Sequence, residues 1–200
     1  MGNDHFKGHA ADWDRAFHRI DNVDNISREM RRRIRFTEPM EIMDFGSGTG
    51  LLLERIASLV AKITAVDTSA AMNQQLAAKR DRLKCNLEIL DVELADTKLD
   101  RRFDGIISSM TLHHIGDVPA LFRTFHSLLK EDGFIAIADL DREDGSFHSE
   151  DTGVRHFGFD RDALLEITSD SGFRNPEIST ASVIRKPLRD YPVFLLTAFR

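Results

Sequence analysis

The sequence predicts an α/β fold in which helices cover both faces of a mostly parallel β-sheet. Short apolar segments alternate with amphipathic segments of helical period, which is the pattern of right-handed βαβ units. The strand segments are continuously apolar, as a sheet covered on both faces requires. Two more strand-like segments near the C-terminal end, joined by a short connection, predict an antiparallel hairpin at one side of the sheet.

Each parallel strand is predicted from a short apolar run bounded by turns: 41–45, 62–67, 86–91, 103–108 and 134–139. Apolar residues at helical spacing predict helices over 49–60, 69–83, 117–130 and 160–171. Ser69 suits the N-cap of the second of these helices, and Pro119 suits the first turn of the third. The hairpin is predicted from 178–184 and 191–199, connected by 186–190.

The two remaining segments complete one predicted domain, residues 1–200. The first forty residues have a helical pattern with Trp13 and Phe17 on one face. Residues 140–158 form a polar connection with three glycines, and long loops inside compact domains are often functional.

The composition is that of an ordinary globular domain, with 42% apolar and 30% charged residues among 200. A net charge of -6 argues against a protein that coats nucleic acid or anionic lipid. The longest apolar runs, such as 193–196, are far too short for a membrane span, and the N-terminus has no apolar secretory region. The single cysteine, Cys85, excludes an internal disulfide and a multi-thiolate metal site. These observations fit a cytoplasmic protein.

A glycine-rich turn, Asp-Phe-Gly-Ser-Gly-Thr-Gly at 44–50, separates the first predicted strand from the following helix. Gly46 permits the sharp exit turn, and Gly48 lets backbone approach a ligand with no Cβ in the way. The N–H groups at the start of the helix then face whatever lies over the turn. Such a turn also occurs without a ligand, so further residues must support the interpretation.

Two acids supply that support. Asp67 ends the second predicted strand and Asp91 ends the third, so both lie at the carboxyl edge of the sheet, where doubly wound sheets bind ligands. A carboxylate offers two acceptor oxygens, which suits the two hydroxyls of a ribose at Asp67. Asp91 is placed to reach an exocyclic amine of a base. Either acid alone could equally be a turn or capping residue.

Together these residues resemble the motifs of class I S-adenosylmethionine-dependent methyltransferases. The glycine-rich turn resembles the first motif, Ala-Val-Asp-Thr-Ser at 65–69 the second, and Leu-Asp-Val-Glu at 90–93 the adenine-contacting segment. Residues 103–115 resemble the fourth-strand motif, and 128–134 the turn before the fifth strand. Within the family, the sequence is most similar to the branch of quinone-biosynthesis and other small-molecule methyltransferases.

The resemblance implies a Rossmann-like, doubly wound sheet of seven strands in the order 3-2-1-4-5-7-6, with the last strand antiparallel. It implies methyl transfer from S-adenosylmethionine to an unidentified small-molecule acceptor. In this family N-terminal helices often cover the pocket, so residues 1–38 with Trp13 are expected as a lid. Residues 140–158 are expected on the substrate side.

The resemblance also assigns cofactor contacts. Gly46 and Gly48 pass under the cofactor, Asp67 binds the ribose, Asp91 binds the adenine amine and Val92 lies against the ring. The full set implied is Asp44, Gly46, Ser47, Gly48, Gly50, Asp67, Thr68, Asp91, Val92, Ser108 and Ser109. Asp44 is expected to help hold the amino group of the cofactor, and the two serines to border its methionine part.

A nicotinamide-dependent dehydrogenase is the other enzyme class considered for such a turn. Its fingerprint is Gly-x-Gly-x-x-Gly, whereas here the third glycine, Gly50, comes one residue early. The acid in the first strand and the acid at the adenine edge also favour the methyl donor.

The chemistry of methyl transfer from a sulfonium requires above all the alignment of acceptor, carbon and sulfur. A general base is needed only where the acceptor keeps its proton near neutral pH. The candidates for it are His113, His114, Asp139, His148 and His156. Each histidine also has a structural interpretation. His113 or His114 could cap the following helix or pack under the cofactor, whereas His148 and His156 could be solvated loop residues. A metal site is conceivable, but the spacings match no short ligand motif, so no metal is expected.

A basic face in the N-terminal helix supports a second hypothesis, the methylation of RNA or protein. It consists of Arg28, Arg31, Arg32 and Arg35, while Ile26, Met30 and Ile34 form another face. The same pattern is typical of a solvated helix with a buried apolar seam. A third hypothesis is a non-catalytic module that binds the cofactor. No Asn-Pro-Pro-Tyr motif follows the fourth strand, which argues against a nucleic-acid partner, and we expect a monomer or homodimer.

Overall fold

The computed structural model describes residues 17–94, 97, 99–148, 153–187 and 189–200. Its strands are β1 Glu41–Phe45, β2 Lys62–Val66, β3 Asn86–Leu90, β4 Phe103–Ser109, β5 Leu129–Leu140, β6 Arg174–Lys186 and β7 Arg189–Phe199. Its α-helices are α1 Phe17–Arg33, α2 Leu51–Ile56, α3 Ala70–Ala77, α4 Val118–Leu128 and α5 Arg161–Asp170. Short 3-10 turns occupy Ala57–Leu59, Arg80–Arg82 and Leu112–His114.

The strands form one seven-stranded sheet in the order β3-β2-β1-β4-β5-β7-β6. The first five strands are parallel, and β7 lies antiparallel between β5 and β6. This confirms the predicted fold class, strand order and hairpin.

The register brings the ends of neighbouring strands to one edge. Phe45, at the end of β1, is level with Val66 of β2 and Ser108 of β4. Val66 is in turn level with Leu90 at the end of β3. The residues that directly follow these strands therefore meet at the same carboxyl edge, which we call the site edge.

Two apolar layers cover the sheet. Adjacent residues of β1 face opposite sides, so Ile42 packs with α1, α2 and α3 while Met43 packs with α4 and α5. Both side chains are fully buried. This arrangement explains why the central strands are continuously apolar in sequence.

Several element bounds differ from the predicted ones. Helix α2 ends at Ile56 and α3 at Ala77, each continued by a 3-10 turn. Helix α4 ends at Leu128 rather than 130, because Leu129 pairs with Phe103 and starts β5. Strand β5 also extends to Leu140, and β6 begins at Arg174, because pairing with β7 continues beyond the apolar run.

Helix α1 lies along β6 and runs antiparallel to it. The contacts that fix its direction are Asn25 with Ser182, Glu29 with Ser179 and Arg33 with Glu177. Since β6 runs toward the site edge, the N-terminal end of α1 also points to that edge. Trp13 and the rest of the predicted lid before Phe17 lie outside the described residues.

The predicted apolar seam of α1 is buried, with Ile26, Met30 and Ile34 in the core. On the basic face Arg28, Arg31 and Arg35 are exposed, and Arg32 forms an ion pair with Glu29. This face follows the half of α1 that points away from the site edge. Among the helices described, none is long and apolar enough to cross a membrane.

Candidate functional site

The glycine-rich turn leaves β1 with left-handed backbone at Gly46, Gly48 and Gly50. The Gly46 N–H donates to the Val66 carbonyl at 2.8 Å, which fixes the turn against β2. A Cβ on Gly46 would lie 2.2 Å from the side chain of Thr111, so only glycine fits there. A Cβ on Gly48 would meet nothing within 4 Å, and the space above this residue is open.

Asp67 joins this turn to the start of α3. Its Oδ2 accepts the Gly48 N–H and its Oδ1 accepts the Ser69 N–H, both at 2.8 Å. The side-chain amide of Asn73 donates to the Asp67 carbonyl at 3.0 Å. Each carboxylate oxygen can accept more than one hydrogen bond, and the half-buried Asp67 lies beside the open space at Gly48.

Asp44 lies beneath the turn and is only 2% exposed. Burial, with the nearby charge of Asp67, raises the pKa of Asp44 well above its usual range. Its Oδ2 and the Oγ of Ser47 are both buried and have no hydrogen-bond partner among the described residues. Buried polar atoms without partners are rare and costly, and a donating or cationic group of a ligand above the turn would satisfy them.

The predicted adenine contacts lie along the same edge. Asp91 is exposed directly after β3, and the half-buried Val92 packs at the border of the α4 and α5 layer. The Asp67 N–H donates to the Leu90 carbonyl at 3.2 Å, which ties the two strand ends together. Thr68 is exposed next to Asp67.

The end of β4 borders the turn on its other side. The Oγ of the buried Ser108 donates to the Phe45 carbonyl at 2.7 Å, so this hydroxyl links two strands. Ser109 is half-buried at the strand end. Thr111 was not predicted from sequence, yet its Oγ1 donates to the Gly46 carbonyl at 3.2 Å. Thr111 falls within the segment 103–115 that resembles the fourth-strand motif, but its contact with Gly46 depends on how the loop after β4 folds back.

His113 and Asp139 form a buried pair beside Thr111, with side chains 2% and 0% exposed. The Nδ1 of His113 lies 2.7 Å from Oδ1 of Asp139. The backbone N–H groups of Leu140 and His113 donate to Oδ1 and Oδ2 of Asp139 at 2.7 and 3.1 Å. Because the carboxylate accepts on both oxygens, Nδ1 donates and Nε2 of His113 carries the lone pair. Asp139 is a residue of β5, which extends to Leu140.

His114 and His148 complete a cluster with His113. The ring centroid of His113 lies 4.2 Å from that of His114 and 5.1 Å from that of His148. The Nδ1 of His114 lies 3.3 Å from the Gly153 carbonyl and can donate to it. Burial lowers the pKa of His148 to about 4, and electrostatic interactions with His113, His114 and Lys186 add to this effect.

The loop that follows β5 is fastened to the β6–β7 hairpin. The Oγ of Ser146 shares a hydrogen bond of 2.7 Å with the Tyr191 hydroxyl. The ammonium of Lys186 donates to the Phe147 carbonyl and lies 4.2 Å over the centre of the Phe147 ring. The described part of the 140–158 loop thus holds Phe147 and His148 against the site edge.

His156 is not part of the histidine cluster. Its Nε2 donates to the Ile115 carbonyl at 2.8 Å, and its ring packs against Phe159. It borders a separate cavity of about 220 Å³ beside α5, which is also lined by Arg142 and Leu164. Within the residues that the structure describes, no group of three or more His, Cys, Asp or Glu side chains could hold a metal ion.

Comparison with known proteins identifies a family. A family model described as a methyltransferase domain matches residues 13–177. A ubiquinone biosynthesis O-methyltransferase of Rhodopseudomonas palustris is 31% identical over 110 residues, which are 54% of this chain and 43% of the relative. A malonyl-[acyl-carrier protein] O-methyltransferase of Geobacter sulfurreducens is 31% identical over 183 residues, 82% of this chain and 66% of the relative.

The chain spans about half the length of the first curated relatives it matches. Among solved structures, the complex of DhpI with SAH has a TM-score of 0.75 and 21% identity, and the match covers 98% of this chain and 92% of DhpI. This likeness supports the fold. Several of the similar structures were solved with S-adenosylmethionine or with its demethylated product.

Proposed function

This chain belongs to the class I S-adenosylmethionine-dependent methyltransferases, and we propose that it transfers a methyl group from S-adenosylmethionine to a small-molecule acceptor. The family cofactor is S-adenosylmethionine. The observation that carries the proposal is the glycine-rich turn, open above Gly48 and bound from below by Asp67, in a chain with this family match.

The residues of the turn suit the cofactor. We assign the ribose hydroxyls to Asp67, the adenine amine to Asp91 and the face of the ring to Val92. The buried, unpartnered oxygens of Asp44 and Ser47 fit the ammonium of the methionine part, which would supply the missing donors. We assign the backbone around the cofactor to Gly46, Gly48, Gly50 and Thr68. Ser108 and Ser109 are assigned to the border of its methionine part.

The cofactor supplies an activated methyl group on a sulfonium, so the protein must mainly position an acceptor in line with it. Where that acceptor is a hydroxyl, a base must remove its proton. We propose that Nε2 of His113 takes this proton, while Asp139 fixes the ring and stabilises the imidazolium that forms. The names of two relatives, both O-methyltransferases, support an oxygen acceptor.

The other candidate bases have different surroundings. His114 and His148 lie beside His113 and are proposed to face the acceptor. His156 is engaged with the Ile115 carbonyl and remains only a prediction.

Methylation of RNA or protein is the weaker alternative. The exposed Arg28 and Arg31 lie on the half of α1 directed away from the site edge, and Arg35 follows the end of that helix, so they would not guide a macromolecule to the turn. Four points stay predictions: a non-catalytic binding module as the third hypothesis, a cytoplasmic location, a monomeric or homodimeric state, and a single domain over 1–200.

The proposal is tested by titration calorimetry with S-adenosylmethionine and S-adenosylhomocysteine. Asp67→Ala should remove most of the binding to both. Asp104→Ala is the matched control, because Asp104 is an acid at the opposite edge of the sheet, where it pairs with Lys130. Unchanged affinity in Asp67→Ala would discard the ribose assignment, and no binding by the unmodified chain would discard the proposed function.

A further inference from the structure

His148 is a half-buried imidazole without an assigned partner at the site edge. Neither ring nitrogen has a hydrogen bond within the described part of the chain, although His148 is packed between His113 and Phe147, with ring centroids 5.1 and 4.8 Å apart. A loop histidine with no role would turn to solvent. Instead the loop is fastened so that this ring stays next to the His113–Asp139 pair.

The electrostatic surroundings of His148 are positive. Burial is the main cause that lowers the pKa of His148 to about 4; interactions with His113, His114 and Lys186 lower it further, and Asp139 partly opposes them. At neutral pH the ring is therefore a neutral N–H donor. Burial also lowers the pKa of Lys186, whose ammonium lies over the Phe147 ring.

Among the described residues, the acids near this group are already engaged. Asp139 accepts from His113 and from two backbone N–H groups. Oε2 of Glu143 accepts the Phe147 N–H at 3.1 Å. Asp144 pairs with Arg189 and accepts from Ser146. Each of these carboxylates is therefore held by donors of its own, and no acid in the described part of the chain forms a hydrogen bond or an ion pair with His148.

We infer that the methyl acceptor carries a carboxylate, an inference that rests on the proposed function. The N–H of His148 binds this carboxylate, and the positive charge of Lys186 stabilises it. The acceptor hydroxyl would then lie at Nε2 of His113 and the carboxylate at His148, a separation on the scale of the 5.1 Å between the two rings. A compact acid of this kind spans both groups at once.

The donor set favours a carboxylate over a phosphate. Phosphate sites usually combine guanidinium forks with backbone nests. The described groups around His148 are imidazoles and one ammonium, and the nearby Arg189 is paired with Asp144. One neutral N–H and one cation suit a monoanion.

The experiment follows the imidazole signals of His148 by NMR through a pH titration of the full chain. Three separate probes are added in excess: benzoate, its neutral isostere benzamide, and inorganic phosphate. The His148 signals are identified by their loss in His148→Gln. Benzoate should raise the pKa of His148 above 4, because an anion favours the protonated ring. Benzamide should leave it unchanged, and phosphate should have less effect than benzoate.

Variants locate the site. Lys186→Met should weaken benzoate binding about tenfold, the loss expected for a charge partner, whereas Lys130→Met at the opposite edge should not weaken it. His126→Gln on α4 is the control for His148→Gln. Equal responses to benzoate and benzamide, a larger response to phosphate, or no response at His148 would each overturn the inference.

Calorimetry with S-adenosylhomocysteine on the same samples separates the two proposals. Binding of that compound without a benzoate response would overturn only the carboxylate inference. Absence of its binding would overturn the proposed function itself.

Discussion

Asp139 holds His113 at two points, since its Oδ1 lies 2.7 Å from the ring Nδ1 and its Oδ2 accepts the His113 backbone N–H at 3.1 Å. The carboxylate therefore fixes both the ring and the loop that carries it. Strand β5 fixes the acid in turn, because Asp139 is fully buried within it. This rigid support directs Nε2 of His113 away from Asp139.

This pairing predicts the behaviour of two variants. His113→Gln should lower kcat by about 10²–10⁴-fold, the usual contribution of a general base, and leave the affinity for S-adenosylmethionine unchanged. Asp139→Asn should also lower kcat, because the ring loses the carboxylate that orients it and stabilises the imidazolium formed in the reaction.

Steady-state kinetics from pH 5 to 9, with calorimetry for the cofactor, measure both effects. His126→Gln serves as the histidine control outside the site. A kcat in Asp139→Asn equal to that of the parent protein would restrict Asp139 to a structural role.

Replacement of Gly46 by alanine is expected to lower the free energy of unfolding strongly, although it adds only one methyl group. Gly46→Ala places a Cβ 2.2 Å from Thr111 and forces alanine to a φ of 67°. Left-handed backbone costs ~1–2 kcal/mol and overpacking ~1–3 kcal/mol, so urea unfolding should reveal a loss of about 2–5 kcal/mol. Gly116→Ala is the control, since a Cβ there meets nothing within 4 Å.

Thr111 makes the two costs separable. The double variant Gly46→Ala, Thr111→Gly removes the overlap but not the strained φ, so it should recover part of the stability lost in Gly46→Ala. A Gly46→Ala protein as stable as the parent would show that the turn adopts another conformation.

His148 predicts a pH-dependent stability. Its pKa in the folded protein is about 4, below the ordinary 6.5. Between these values the unfolded chain binds a proton that the folded chain does not, so the free energy of unfolding falls as the pH drops from 7 toward 4. Since the ring is partly exposed, we expect roughly 1 kcal/mol after solvent screening.

Urea unfolding at pH 7 and pH 4.5 measures this contribution as the difference between the parent and His148→Gln. The variant should lose less stability than the parent on acidification. Identical pH dependence in the two proteins would mean that His148 titrates normally when folded.

Glu29 is expected to help hold α1 on the sheet. It accepts from Arg32, Arg33 and Ser179, and the hydrogen bond from Arg32 is the main cause that lowers its pKa to about 2. Its stabilising effect is present above pH 4.5 and is lost as the pH falls through 2. Glu29→Gln should cost up to about 1 kcal/mol at pH 7, because its ion-pair partners Arg32 and Arg33 are 63% and 27% exposed, so solvent screens the pairs.

Chemical unfolding of Glu29→Gln beside Glu38→Gln, an exposed acid beyond the end of α1, checks this prediction. Equal stability of the two variants at pH 7 would remove Glu29 as a contact that holds α1.

The sheet could be predicted from sequence because its determinants are local. Continuous apolar runs such as 41–45 and 62–67 mark buried parallel strands, and the resemblance supplied their order. The edge placement of Asp67 and Asp91 follows from the same pattern, since residues after parallel strands meet at one edge.

The details of the site could not be predicted because they depend on how loops fold back. Thr111 contacts Gly46 across 65 positions of the sequence, and no local pattern encodes that contact. Asp139 lies in the strand predicted at 134–139, but its contacts with His113 depend on how the loop after β4 folds against β5. His148 and His156 occupy one polar loop, yet only His148 joins the histidine cluster.

The most direct test of the central claim is a crystal structure of this chain with S-adenosylhomocysteine. The account predicts the nucleoside over Gly48, with the ribose hydroxyls in hydrogen-bond distance of the Asp67 carboxylate. Density for the compound at any other place, such as the cavity beside α5, would contradict it.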